Sequence, residues 1–82
     1  MVSVKLSPLQ IKVLATMAKI TKRRKYRIAR PSEIARYMKK KMKSVEAVLL
    51  KLRKKGVVEN VGFGAWRITE LGWQVLKELG YA

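Results

Sequence analysis

The chain contains no cysteine and no histidine. Without thiols it has no disulfide framework and no thiolate nucleophile, and without either residue it lacks the usual zinc ligands and the commonest general base. An enzyme is therefore not expected, and no cofactor or metal is. Aspartate is absent too: all five acids are glutamates, and Asn60 is the single asparagine. No uninterrupted apolar run approaches the ~18 residues of a membrane span. Met1 to Leu6 also lack the apolar centre of a signal peptide, so a cytoplasmic location is expected. Nothing in the sequence suggests a small-molecule ligand, a repeat or a linker, and the one low-complexity stretch is Lys39-Lys40-Lys41.

What the chain has in excess is positive charge. Twenty lysines and arginines against five glutamates give a formal charge of +15 on 82 residues. That exceeds what solubility requires and predicts a field that attracts polyanions, with nucleic acid the leading partner and an anionic membrane the runner-up. The hydrophobic fraction of 49% is enough for one core. The length is too short for two, so residues 1–82 are expected to form a single domain. The bias towards lysine, arginine and glutamate is also one reported for proteins of hot environments.

Hydrophobic spacing divides the chain into elements. Ser7 and Pro8 read as an N-cap and first helical residue, and Leu9, Val13, Met17 and Ile20 follow at helical spacing, predicting a first helix from about Pro8 to Ile20. Ile11, Leu14 and Ala18 widen its apolar side, as expected of the centre of a core. The basic stretch Thr21 to Arg30 contains an alternation, Tyr26 to Ala29, that predicts a short strand. Ser32 is the expected cap of a two-turn helix carrying Ile34, Ala35 and Met38. Val45, Val48, Leu49 and Leu52 mark a third helix from Ser44 to Lys55, closed by Gly56 in a left-handed C-cap. Val57 to Val61 and Ala65 to Thr69 are β-prone arms of a hairpin with Gly62-Phe63-Gly64 at its tip. A last helix runs from Thr69-Glu70 to Leu79. The expected class is mainly α with a small β-hairpin, in the order α-β-α-α-β-β-α.

Four strings carry a family resemblance: Leu6-Ser7-Pro8-Leu9-Gln10, Pro31 to Met38, Val45 to Leu52 running into Lys54-Lys55-Gly56-Val57-Val58-Glu59, and Trp66 to Gly72. In this order and spacing the chain resembles winged helix-turn-helix regulators of the MarR-like and related archaeal and bacterial type over nearly its whole length. In that resemblance Lys39 and Lys41 stand where a small turn residue and a polar helix cap are usual. The resemblance implies a recognition helix at about residues 44–55, base-edge contacts at its N-terminal part, and a wing at Gly62 to Gly64.

Advancing about 100° per residue from Val45, the face opposite the core collects Lys43, Glu46, Ala47, Leu50, Lys51 and Lys54. Base contacts are expected from Lys43, Ser44, Glu46 and Ala47, with lysine donating to guanine, Glu46 accepting from a cytosine amine and Ala47 meeting a thymine methyl. Glu46 can equally pair with a neighbouring lysine. Leu50 is either plain surface or a packing contact with the wing. Phosphate contacts are expected from Arg36, Lys39, Lys40, Lys41, Lys51 and Lys54, and from the loop residues Lys22, Arg23, Arg24 and Lys25. In the wing, Arg67 is expected at the minor groove or the backbone, Phe63 either wedges into DNA or stacks on the sheet, and Trp66 belongs in the core.

The last helix reads as two-sided: Leu71, Val75 and Leu79 on one side, Trp73 and Leu76 on the other. The second side, with Tyr81, Val2 and Val4, is expected either to form a homodimer interface or to be sandwiched within the monomer. Double-stranded DNA is thus the expected partner and a transcriptional regulator, such as a repressor, the expected function. The alternatives are an architectural protein that coats DNA without sequence preference, a protein-interaction module of a transcription or replication complex, and, less favoured, an RNA binder.

Overall fold

The computed structural model describes residues 4–81. The elements follow the expected order: α1 (Pro8–Thr21), β1 (Ile28–Ala29), α2 (Pro31–Met38), α3 (Met42–Lys54), β2 (Val58–Asn60), β3 (Trp66–Ile68) and α4 (Glu70–Glu78). Three strands form an antiparallel sheet in the order β1-β3-β2. β3 pairs Trp66 with both Ala29 and Asn60, and Arg67 with both Ile28 and Glu59. This is an α+β fold compatible with the winged helix architecture. Among the described residues no helix is long and apolar enough to cross a membrane.

α1 begins with a capping box. Ser7 Oγ accepts from the Gln10 amide at 3.2 Å, and Gln10 Oε1 accepts from the Ser7 amide at 2.9 Å, satisfying two donors that a helix start otherwise leaves open. Residues 13–18 are all buried, so neighbours surround α1 on more than one side. Its two buried threonines, Thr16 and Thr21, keep their hydroxyls satisfied by donating to the carbonyls of Lys12 (2.7 Å) and Met17 (2.8 Å). Leu14 and Met17 meet Ile34 from α2, Val45, Leu49 and Leu52 from α3, and Leu76 from α4 in one cluster. Each such side chain contributes roughly 1.5–3 kcal/mol by leaving water.

Three expectations need correction. Ser32 is not the cap of α2: it is exposed within the helix, Arg30 is the N-cap residue and Pro31 holds the first position. Proline's fixed φ suits that position, and the Glu33 carboxylate accepts from the Arg30 amide at 3.1 Å, doing from inside the helix what a cap side chain does from outside. α3 starts two residues earlier than expected, at Met42. Lys41, extended at φ −72° and ψ 141°, caps it without a side-chain bond, and its carbonyl accepts from Ser44 and Val45. Finally, α4 has one apolar stripe rather than two. Gly72, Val75 and Leu76 face inward, Leu76 is fully buried, and Leu79 is exposed. Leu76 therefore cannot contribute to a dimer interface.

Thr69 and Gly72 fix how α4 docks. Thr69 Oγ1 accepts from the Gly72 amide at 3.1 Å and donates to the Gly56 carbonyl at 2.6 Å, while its own amide donates to the Val57 carbonyl at 3.0 Å. α4 thus closes against the exit of α3. A Cβ on Gly72 would fall 2.2 Å from the Val57 carbonyl oxygen and 2.6 Å from Ile68 Cγ2, and backbone oxygen cannot rotate away. Gly72→Ala is expected to lower unfolding free energy by about 3 kcal/mol or more despite alanine's better helix propensity. Urea unfolding of the pair measures this, and equal midpoints would contradict it.

Candidate nucleic-acid interface

The stripe Val45, Val48, Leu49 and Leu52 buries one side of α3 and leaves Lys43, Ser44, Glu46, Ala47, Leu50, Lys51 and Lys54 exposed. Lys43, Ser44, Glu46 and Ala47 all lie in the first half of the helix, as required of residues that meet base edges together. Glu46 makes no ion pair with a described residue, so its carboxylate is open to an outside partner. Leu50 is 45% exposed, which makes it surface rather than a sealed packing contact with the wing. Ahead of α3, Lys39, Lys40 and Lys41 form the whole connection from α2, and all three are exposed.

That connection is compact because Lys39 adopts the left-handed conformation, φ 55° and ψ 45°, so that the Lys40 amide folds back onto the Ala35 carbonyl at 2.9 Å. Such a C-cap usually takes glycine. A side chain there costs about 1 kcal/mol, and the chain keeps a cation at this position nevertheless. Lys39→Gly is expected to raise stability by ~0.5–1 kcal/mol, part of the gain being offset by glycine's larger unfolded-state entropy. A matched thermal unfolding series reads this out, and a loss of stability would show that Lys39 is held by more than the turn.

Beside α3 runs an open trough of about 330 Å³, with Met42 and Glu46 on one wall, Asn60, Gly64 and Trp66 on the other and Arg30 and Ser32 at its head. The β2–β3 hairpin beyond it stands where the wing of a winged helix fold would be. Its tip has positive φ at Gly62 (98°), Phe63 (49°) and Gly64 (73°), the backbone that a tight hairpin requires and that glycine adopts at no steric cost. Arg30 Nη1 donates to the Phe63 carbonyl at 2.8 Å, tying the tip to the head of α2. Sequence reasoning gave Arg30 no role. Its signal was slight: one arginine among several, distinguished only by preceding Pro31.

The remaining candidates are scattered. Trp66 is buried as expected. Arg67 lies in the central strand, and its guanidinium is engaged by Glu59 across the strand pair, with Nε donating at 2.9 Å. The expected contact of Arg67 with DNA is thus opposed by a bound carboxylate. Phe63 does not stack on the sheet: it is 98% exposed. In the loop after α1, Lys22, Arg23 and Lys25 are exposed. Arg24 instead forks onto Glu33, donating from Nη1 to Oε1 at 2.9 Å and to the Ile28 carbonyl at 3.1 Å, so it fastens the loop to α2. Arg36 lies beside this pair, around a shallow depression with Tyr37 and Ile20. Lys22 and Arg27 flank Trp73 and Tyr81 on the α4 side, with the Arg27 guanidinium 5.6 Å from the Trp73 ring centre. Trp73 is half-buried, packing against the core, and Tyr81 is exposed. Of the other residues expected there, Val4 packs against the core and Val2 lies outside the described residues.

Comparison with known protein families, with curated proteins and with solved structures returns no match. Among the described residues no group of carboxylates could hold a metal ion.

The hydrogen bond from Arg24 holds the Glu33 carboxyl below the usual carboxylate range; partial burial pulls the other way, and the Arg30 amide adds to the lowering. A carboxyl acid-shifted by folding stabilises the fold above its unfolded-state value, and that stabilisation is lost as pH falls through the folded value. Stability is therefore expected to decline on acidification below the usual carboxylate range, modestly because both partners remain in contact with water. Glu33→Gln is expected to flatten that decline in unfolding measured against pH. An unchanged pH profile would mean that the pair contributes nothing.

Proposed function

We propose that this protein binds double-stranded DNA as a transcriptional regulator, laying α3 in the major groove and its wing alongside. Lys43, Ser44, Glu46 and Ala47 face base edges, while Lys39, Lys40, Lys41, Lys51 and Lys54 follow the phosphates and Arg36, Lys22, Arg23 and Lys25 reach flanking backbone. The observation that supports this best is the exposed side of α3, a helix whose opposite side is fully seated in the core and whose free side continues the positive turn before it. A helix of ~10–12 Å diameter matches the major-groove width of about 12 Å. A second copy is not needed for this contact, and with Leu76 in the core the residues expected at a dimer interface on α4 are reduced to Trp73 and Tyr81, with Leu79 exposed nearby.

A second reading is favoured by one feature of the same face. Ala47 and Leu50, near its middle, offer no hydrogen bond to a base edge, and the charge of +15 gives affinity to any duplex. On that reading the protein coats DNA with little sequence preference. Selection from a pool of random duplexes, with affinity followed against salt, separates the two. For about six phosphate contacts, log affinity falls with log salt at a slope near about −5 on either reading. Lys51→Glu is expected to weaken binding to all sequences alike. An enriched motif identifies a regulator, palindromic if a dimer binds. Steep salt dependence without enrichment identifies a coating protein, and no binding at low salt rejects both.

A further inference from the structure

Phe63 concentrates two unfavourable features in one residue. Its aromatic ring is 98% exposed to water, and its backbone is left-handed at φ 49°, where asparagine or glycine would sit without strain. Strain held at one exposed position points to a use for the side chain outside the folded monomer. The backbone beneath it is firmly held. Arg30 bonds its carbonyl at 2.8 Å, the Gly62 amide donates to Asn60 Oδ1 at 2.8 Å, and the Ala65 amide closes the turn onto the Gly62 carbonyl at 2.9 Å. Gly62 and Gly64 flank the ring, and open space surrounds both α-carbons. The tip is therefore narrow and rigid, and it presents a single apolar side chain.

We propose that Phe63 is a wedge that enters the minor groove of duplex DNA and inserts between adjacent base pairs. The proposal rests on the reading of the protein as a DNA binder and adds to it a second point of contact and a deformation. A groove about 6 Å wide excludes a helix but admits a tip of this kind, and an inserted apolar ring regains by stacking what it loses in water. The charge around the tip fits the same partner. Arg30 lies at its base, and Lys25 and Arg27 line the adjoining depression beside Ala65, matching the negative potential of a narrow minor groove. Glu33, the carboxylate on that side, is already taken up by Arg24. Insertion favours steps that unstack easily, so the wedge supplies a preference for flexible pyrimidine–purine steps even where α3 reads few base edges.

The test uses the full chain and duplexes carrying, at a central TA step, an adenine analogue that brightens when unstacked. Wild-type protein is expected to raise the fluorescence several-fold at saturation. Phe63→Ala is expected to bind roughly tenfold more weakly and to leave the duplex dark. Phe63→Asn, which suits the turn, is expected to do the same while unfolding at a higher temperature, so the loss cannot be assigned to misfolding. If wild type saturates the duplex with steep salt dependence but leaves it dark, and both variants bind equally well, the wedge is overturned while DNA binding stands. Failure of wild type to bind the duplex at low salt overturns both.

Discussion

The relation between the wing and α3 is set at one junction, where Gly56 and Val57 leave the helix and Thr69 to Gly72 return from the hairpin. Two hydrogen bonds of Thr69, to the Gly56 and Val57 carbonyls, and the absence of a Cβ at Gly72 bring the two stretches of chain into contact there. The hairpin thus leaves and re-enters the body of the protein through a clamp of fixed width. α4 is docked by the same contact, so the seating of the last helix and the aim of the wing are not independent. Arg30 supplies the second fixed point, at the far end of the hairpin. A β-hairpin pinned at both its base and its tip holds its direction relative to α3, as a two-part binding surface needs.

The scarce negative charge is spent on shape. Glu33 holds Arg24 and with it the loop after α1, and Glu59 holds Arg67 on the outer side of the sheet. Each removes one cation from the free pool, and no ion pair engages Lys39, Lys40, Lys41, Lys43, Lys51 or Lys54 among the described residues. A protein of this charge repels itself, and the two arginine pairs place the contact ion pairs in the sheet and the loop, while on α3 Glu46 stands among the lysines without one.

How much of this was legible in the sequence depended on which residue type carried the signal. α1 and α3 announce themselves through apolar residues at helical spacing, Ser7-Pro8 through cap chemistry, and the hairpin through glycines flanking its tip. Leu76 was misplaced because the inward stripe of α4 runs through Gly72, and a glycine that serves close approach does not register in a count of apolar side chains. Ser32 was misread because cap chemistry was sought outside the helix while Glu33 supplied it from within. Arg67 follows its strand register, which alternation indicates, but its engagement by Glu59 depends on pairing between strands that spacing alone does not give. The role of Arg30 lies in a contact with Phe63 across much of the chain, and no local pattern encodes it. Of the candidate site, the α3 face was readable from helical arithmetic. The tether and exposure of the wing tip were not.

β1 is only two residues long and sits at the edge of the sheet, joined to β3, which arrives in the chain after two further helices and β2. Pairing between such distant segments closes a long loop for few hydrogen bonds, so loop-closure entropy offsets more of its gain than it does in the β2–β3 hairpin. The basic loop between α1 and β1 hangs from this edge on one side and from the Arg24–Glu33 pair on the other. Its cations are therefore carried beside the shortest strand of the sheet, while those of α3 ride on a helix whose other side is in the core. On the proposed reading as a DNA binder, the cations thus fall into two sets, one carried on a helix seated in the core and one carried beside a two-residue edge strand.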